Sequence, residues 1–250
     1  MNTLLKSAKI LDERSDFNNK IQDILIADGR ILKIGDTLKN PKKFQVIDFD
    51  NLHISQGWFD SSVCFGEPGY EHRETIKNGL NVAAKSGFTS VALQANTQPV
   101  MDQHSAIAFA KAQSYNTATR LLPVGALTVN SEGTHLAEIY DMSMAGSVAF
   151  GDYKKSISNL NILKIGLQYA SNFGGLIESF PQESKIAVSG VMNENISSTK
   201  LGLKGNPELA EILQVGRDLD ILEYTGGKLH IPTISTAKSV ELLRAAKAKG

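Results

Sequence analysis

Gly57-Trp58-Phe59-Asp60-Ser61-Ser62-Val63-Cys64-Phe65-Gly66-Glu67-Pro68-Gly69 divides this chain into two parts with different rhythms. Residues 58–65 read as a strand. Gly66, Pro68 and Gly69 then break the strand, because glycine and proline punctuate regular structure. Beyond this stretch the pattern becomes strand then helix, repeated. Ahead of it the pattern is short strands only.

Upstream, residues 4–11, 21–27, 30–34 and 44–49 carry β-branched and aromatic residues. Asp28-Gly29 between two apolar runs is a hairpin signal. Pro41 and the lysines around it mark a loop. These features predict a small antiparallel sheet, a partial sandwich.

Downstream, apolar strand-like runs cover residues 89–95, 120–126, 147–150, 175–180 and 228–234. Helical patterns lie between and after them, at 74–85, 105–113, 136–142, 157–171, 207–223 and 237–249. Thr236 reads as an N-cap, and Asn206-Pro207 as a cap followed by proline at the first helical position. With residues 58–65 the chain holds about six strand–helix units, which implies a parallel sheet with right-handed crossovers. A closed barrel needs eight units, and six would leave two strand edges unpaired. On periodicity alone, a truncated barrel, a doubly wound sheet and a barrel closed by a partner all remain open.

Composition narrows the class. Lys+Arg and Asp+Glu both total 26, so the formal net charge is zero and there is no electrostatic case for nucleic acid or an anionic membrane. One cysteine cannot form an internal disulfide, which points to a reducing cytoplasm. No run approaches the roughly 18 apolar residues of a membrane span, and residues 1–6 lack the order of a signal peptide.

The stretch 57–69 resembles the first barrel strand of the dihydroorotases, whose pattern there reads G-F-x-D-x-H-x-H-x-R-E-P-G. Gly57, Phe59, Asp60, Glu67, Pro68 and Gly69 match it. Residues 67–76 are similar to the family's E-P-G-x-E-x-K-E-T. Gly87-Phe88-Thr89-Ser90-Val91 and Asn96-Thr97-Gln98-Pro99-Val100 are similar to G-G-F-T-x-V and P-N-T-x-P-V. Further matches follow in order at Gly125-Ala126-Leu127-Thr128, residues 146–150, 190–194 and 201–207, and at Thr225-Gly226-Gly227 with His230 and Ser235-Thr236. The resemblance implies an α/β fold: a (β/α) TIM-type barrel of the amidohydrolase superfamily, incomplete, with a small N-terminal β-sandwich-like domain. Residues 1–52 would form that domain and residues 53–250 the partial metal-dependent-hydrolase-type barrel.

The family holds a zinc pair at these strand ends, where metal lowers the pKa of a water that attacks an amide carbonyl. Carried across position by position, the first-strand histidines become Ser62 and Cys64. The acidic pair after the fourth strand becomes Asp152 and Tyr153. The histidines ending the fifth and sixth strands fall on Phe180 and Thr233. Gly66 replaces an arginine that binds substrate, and Asn96 remains at a vestigial substrate-contact position. The resemblance therefore implies a degenerate site with no metal, no cofactor and no catalytic residue.

The leading expectation is a catalytically inactive dihydroorotase-like protein of pyrimidine biosynthesis, cytoplasmic and homo-oligomeric, acting as assembly or regulatory partner of aspartate carbamoyltransferase. Two alternatives stand beside it. One is an active cyclic amidohydrolase with a non-standard site around Cys64, Asp152 and His230, acting on dihydroorotate or a related cyclic amide. The other is a module that binds a pyrimidine-like ligand without chemistry.

The residues also carry plainer expectations. Cys64 reads as a buried strand thiol, since free cysteine packs as a small hydrophobe. Asp152 beside Tyr153 and Lys154 reads as a solvated loop, Asp60 as a strand-end cap and Glu67 as a loop organiser. His230 reads as structural, as does the pair Arg217-Asp218. Pro232 predicts a distorted strand.

Overall fold

Asp28 and Gly29 both have left-handed backbone (φ 51° and 72°), the conformation of a tight hairpin turn. The hairpin joins β2 (Ile21–Ala27) to β3 (Arg30–Gly35), and β2 also pairs antiparallel with β1 (Thr3–Leu11). On its other side β1 pairs with β4 (Gln45–Ile47) and β5 (His53–Ser55), both parallel. The sheet is therefore mixed rather than antiparallel. A two-residue turn forces antiparallel neighbours, whereas a strand reached by a longer connection across the sheet is free to run parallel. Ala8, Ile10 and Ile24 form the core on one face.

The computed structural model describes residues 2–40, 43–187 and 189–250. It divides into two units, Met1–Trp58 and Phe59–Gly250. Residues 53–55, counted with the barrel on sequence, belong to the first unit because β5 pairs with β1. Pro41 and Lys42 lie outside the described residues.

Among its described residues, the first unit has one buried charge. Asp23 is almost fully buried, and its carboxylate accepts from Ser7 N at 3.0 Å, from Leu38 N at 2.9 Å and from the Lys6 ammonium. Burial pushes its pKa up, but these donors outweigh that and hold it below the ordinary value.

The second unit alternates strand and helix. In order come β6 (Trp58–Val63), α1 (Ile76–Lys85), β7 (Phe88–Leu93), α2 (His104–Gln113), β8 (Arg120–Gly125), α3 (Ile139–Ala145), β9 (Ala149–Phe150), α4 (Leu160–Ser171) and β10 (Ile177–Glu178). Then follow β11 (Met192–Asn193), α5 (Ile196–Leu201), β12 (Gly205–Asn206), α6 (Glu208–Thr225), β13 (Leu229–His230) and α7 (Ala237–Ala248). The six-stranded sheet runs in chain order, β6-β7-β8-β9-β10-β13, with β11 and β12 paired apart from it. The pairs from β7 through β13 are parallel, and Gln94 N donates to Val63 O at 3.0 Å beside β6. The middle strands are mostly apolar and buried at Val91, Leu93, Leu121, Val124, Ala149 and Phe150, as parallel strands under helices require, whereas the edge strand β6 carries Asp60, Ser61 and Ser62. Leu93, Leu121, Phe150 and Ile177 meet Leu80, Ile107, Met142 and Leu163 from the helices in one core.

Local chemistry explains most element ends. Thr75, Asn159 and Thr236 cap α1, α4 and α7 through their side chains. Pro207 takes the N-cap place with extended backbone (ψ 139°) and Asn206 belongs to β12, so α6 begins one residue later than the expected Asn206 cap and Pro207 start. The β11–α5–β12 excursion was not legible in the pattern, since two-residue strands and a six-residue helix are shorter than any readable period.

Replacing Asp23 by alanine strands the Ser7 and Leu38 amides and the Lys6 ammonium. It should cost about 2–4 kcal/mol of stability in denaturant titration at neutral pH. Because the folded pKa of Asp23 is depressed, its contribution is present above the ordinary value of 3.8 and lost as pH falls through the folded pKa. The gap between wild type and variant should therefore close in acid.

Candidate functional site

The barrel strands bring their C-terminal ends to one cavity of about 260 Å³ in the second unit. Ser62 enters from β6, Gln94 from just beyond β7, Gly151 through Lys154 from beyond β9, Glu178 from β10 and Phe180 from just past it, and Pro232 with Thr233 from beyond β13. The side of a (β/α) barrel that carries chemistry is this C-terminal face. Ser62, Asp152, Tyr153, Phe180 and Thr233, named from four places in the sequence, thus line one space.

Asp152 is buried (5% exposed), not part of a solvated loop. Its Oδ1 accepts from Leu127 N and Thr128 N, both at 3.1 Å, and its Oδ2 accepts from Thr128 Oγ1 at 2.5 Å. Burial raises its pKa, and the Thr128, Leu127 and Ser131 donors oppose that rise. Its lone pairs are thereby committed to the loop that follows β8.

Tyr153 stands beside it, near Cys64. Burial, then the Cys64 sulfur, push the Tyr153 pKa up to about 12. Cys64 is exposed and lies one residue past the end of β6, so the expectation of a buried strand thiol is corrected. The strand stops at Val63, and residue 64 has left the sheet. The Lys154 ammonium lies 5.2 Å from the centre of the Tyr153 ring at the cavity rim.

Glu178 and Gln94 carry chemistry that the sequence reading did not single out. Glu178 is 8% exposed, Gln94 1%, and Gln94 Nε2 donates to Glu178 Oε2 at 3.2 Å. Gly151 makes room for Glu178, since a Cβ at residue 151 would stand 2.6 Å from Glu178 Cβ. Burial raises the Glu178 pKa, and the Gln94 bond only partly offsets it. A charged residue inside the apolar run 175–180 was the available signal.

The remaining positions have structural surroundings. Asp60 Oδ1 accepts from Ser62 N at 3.0 Å, and Glu67 Oε2 accepts from Ile76 N at 2.8 Å at the start of α1. Gly66 has φ 106°, and a Cβ there would meet Tyr70 O at 2.8 Å, so this turn admits no arginine. The half-buried Asn96 has a buried Oδ1 without a hydrogen-bond partner and is not among the cavity-lining residues. His230 faces Glu178 in register between β13 and β10, and burial lowers its pKa; it does not line the cavity with Asp152. Pro232 lies beyond the end of β13 rather than inside the strand. Asp218, 1% exposed, is held by Arg217 Nη2 at 2.7 Å and Ser179 Oγ at 2.6 Å, a buried structural pair.

Residues 53–239 match the profile of the family described as Dihydro-orotase-like. The chain belongs to the dihydroorotase-like family. It is 40% identical over 252 residues to the dihydroorotase of Pelotomaculum thermopropionicum, covering 100% of this chain and 58% of that protein. The dihydroorotase of Geotalea daltonii is 37% identical over 254 residues, with 59% of its length covered. The chain thus spans less than two thirds of the length of these curated relatives. Among solved structures, the L-hydantoinase (dihydropyrimidinase) from Arthrobacter aurescens superposes with a TM-score of 0.80 at 18% identity, covering 99% of this chain and 56% of that one. A dihydroorotase crystal structure superposes with a TM-score of 0.51 at 15% identity, covering 99% of this chain and 69% of that one. The fold is accordingly the amidohydrolase α/β barrel, of which this chain contains part.

A dihydroorotase-like fold implies zinc at these strand ends. Among the described residues, no three His, Cys, Asp or Glu side chains gather in a group that could hold a metal ion. A zinc site takes three or four protein ligands. The cavity offers two carboxyls, one already committed to backbone amides, and its side chains do not fit a zinc pair.

The raised pKa of Glu178 has a definite sign. A carboxyl whose folded pKa lies above its ordinary value of 4.5 contributes stability below that value and loses it as pH rises through the folded pKa. Glu178→Gln keeps the hydrogen-bonding shape without the charge. Its stability, measured by denaturant titration from pH 4 to 8, should equal wild type in acid and exceed it above neutrality.

Proposed function

We propose that this chain is a dihydroorotase-like protein of pyrimidine biosynthesis that has lost the metal centre and does not hydrolyse dihydroorotate. The observation that supports this reading is the lining of the cavity. Ser62, Tyr153, Phe180 and Thr233 offer no imidazole there, and the Asp152 carboxylate is taken by Leu127 and Thr128. Activation of water by zinc requires open coordination held by nitrogen, sulfur or carboxylate ligands. Gly66 adds to this, because its turn leaves no space for a guanidinium fork that would hold a substrate carboxylate.

A role in assembly completes this reading. We assign aspartate carbamoyltransferase as the partner, with the chain acting as its assembly or regulatory subunit in the cytoplasm. No helix among the described residues is long and apolar enough to cross a membrane.

Metal analysis and turnover together test the reading. The purified full chain should hold well under one zinc per molecule after dialysis, and should give no dihydroorotate hydrolysis above the metal-free blank. Two bound zinc ions with turnover at an enzymatic rate would sink it. If turnover persists without metal and falls on substitution of Cys64 or Asp152, the rebuilt cyclic amidohydrolase is the correct reading instead. Co-elution with aspartate carbamoyltransferase in size-exclusion chromatography is expected; separate elution at micromolar concentrations argues against the partnership.

A further inference from the structure

The cavity that lacks metal ligands is not chemically blank. Its floor carries a carboxyl more than nine-tenths buried, and the Gln94 amide is the one donor recorded to it among the described residues. That bond engages Glu178 Oε2 and Gln94 Nε2; among the described residues no donor is recorded to Glu178 Oε1 or Gln94 Oε1, and both residues line the cavity. None of the ion pairs among the described residues includes Glu178. Asp152 adds a second carboxylate close by, satisfied by its own loop.

The walls and rim complete a charge pattern. Tyr153 and Phe180 present aromatic rings, which favour a cation over an anion. Lys154 stands at the rim, exposed, with its ammonium over the Tyr153 ring. The interior therefore favours positive N–H donors, and the entrance favours an anion. At about 260 Å³ the space is below the roughly 300–1,000 Å³ of drug-sized sites, so the ligand is a small molecule of few atoms.

We propose that this cavity binds a small guanidino acid, with its guanidinium seated on Glu178 and Gln94 and its carboxylate meeting Lys154 at the rim. A planar guanidinium offers several N–H donors at once and matches two acceptors on one floor. A buried carboxylate gains most from a partner that brings both the opposite charge and hydrogen bonds. The inference rests on the reading that no zinc occupies the site.

Calorimetric titration of the full chain with guanidinoacetate, methylguanidinium and ureidoacetate tests it. Ureidoacetate has the shape of guanidinoacetate but a neutral end, as an opened ring amide would. Guanidinoacetate should bind at least about tenfold more tightly than ureidoacetate, the margin of one charge-assisted contact. Glu178→Gln should remove that preference while its thermal unfolding stays cooperative. Lys154→Ala, at an exposed position, should weaken guanidinoacetate by roughly fivefold and methylguanidinium by less than twofold. Equal or tighter binding of ureidoacetate overturns the inference, as does guanidinoacetate binding that neither substitution changes. No binding of guanidinoacetate by a chain that also takes up no zinc overturns this inference alone. Uptake of two zinc ions overturns it together with the reading it rests on.

Discussion

Gln94 follows β7 and Glu178 ends β10, yet their side chains lie 3.2 Å apart. Two strands intervene. In a flat sheet, three strand intervals would separate the two backbones by about 14 Å. Ser62 and Thr233, from the two edges of the sheet, likewise line one cavity, although five intervals would set them about 24 Å apart if flat. The sheet must therefore curl as a barrel does, and that curl is the constraint on which the site depends. It turns five strand ends toward one cavity, buries Glu178 and Asp152, and requires glycine at residue 151, where the Glu178 side chain approaches the backbone.

Curling places two carboxyls in one poorly solvated space, and they resolve the cost of burial differently. Asp152 satisfies both oxygens through Leu127, Thr128 and the Thr128 hydroxyl, so it fixes the loop after β8. Among the described residues, Glu178 is met by the Gln94 amide alone, and burial raises its pKa. A buried group with unmet hydrogen-bonding capacity is expensive, and such groups persist where something else benefits from them. The first carboxyl stabilises the fold; the second makes the cavity chemically specific.

Membership of the dihydroorotase-like family and the chemistry of the cavity are separate matters. Fold similarity at 18% identity speaks for the barrel, and the 40% identical relative speaks for common descent. Neither carries an activity, because function resides in particular side chains grafted onto a scaffold. Here the scaffold features are retained: Glu67 caps α1, Asp60 braces the end of β6, and Gly66 and Gly69 keep left-handed turns. Among the described residues, no three His, Cys, Asp or Glu side chains gather where they could hold a metal ion.

Much of the fold was legible because its signals are local. The Asp28-Gly29 hairpin, the Thr236 cap and the alternation of apolar strands with helices all lie within a few residues of one another, and the structure has each of them. The mixed pairing of the N-terminal sheet was not legible, since β4 and β5 reach β1 by connections that no short window spans. The same limit governs the site. Ser62, Asp152, Tyr153, Phe180 and Thr233 could be named from ordered motifs, whereas Glu178 and Gln94 match no motif and acquire meaning only when the curl brings them together. Exposure was equally out of reach: Cys64 is outside the sheet and Asp152 is inside the barrel, the reverse of what residue type suggests. The sequence by itself determined the alternation of the main strands and helices, the family and five of the positions that converge, because local propensity and motif order survive without a third dimension. Only the tertiary structure decided which of those groups are buried, which are satisfied and which face open space, because desolvation and hydrogen bonding depend on neighbours far away in the chain.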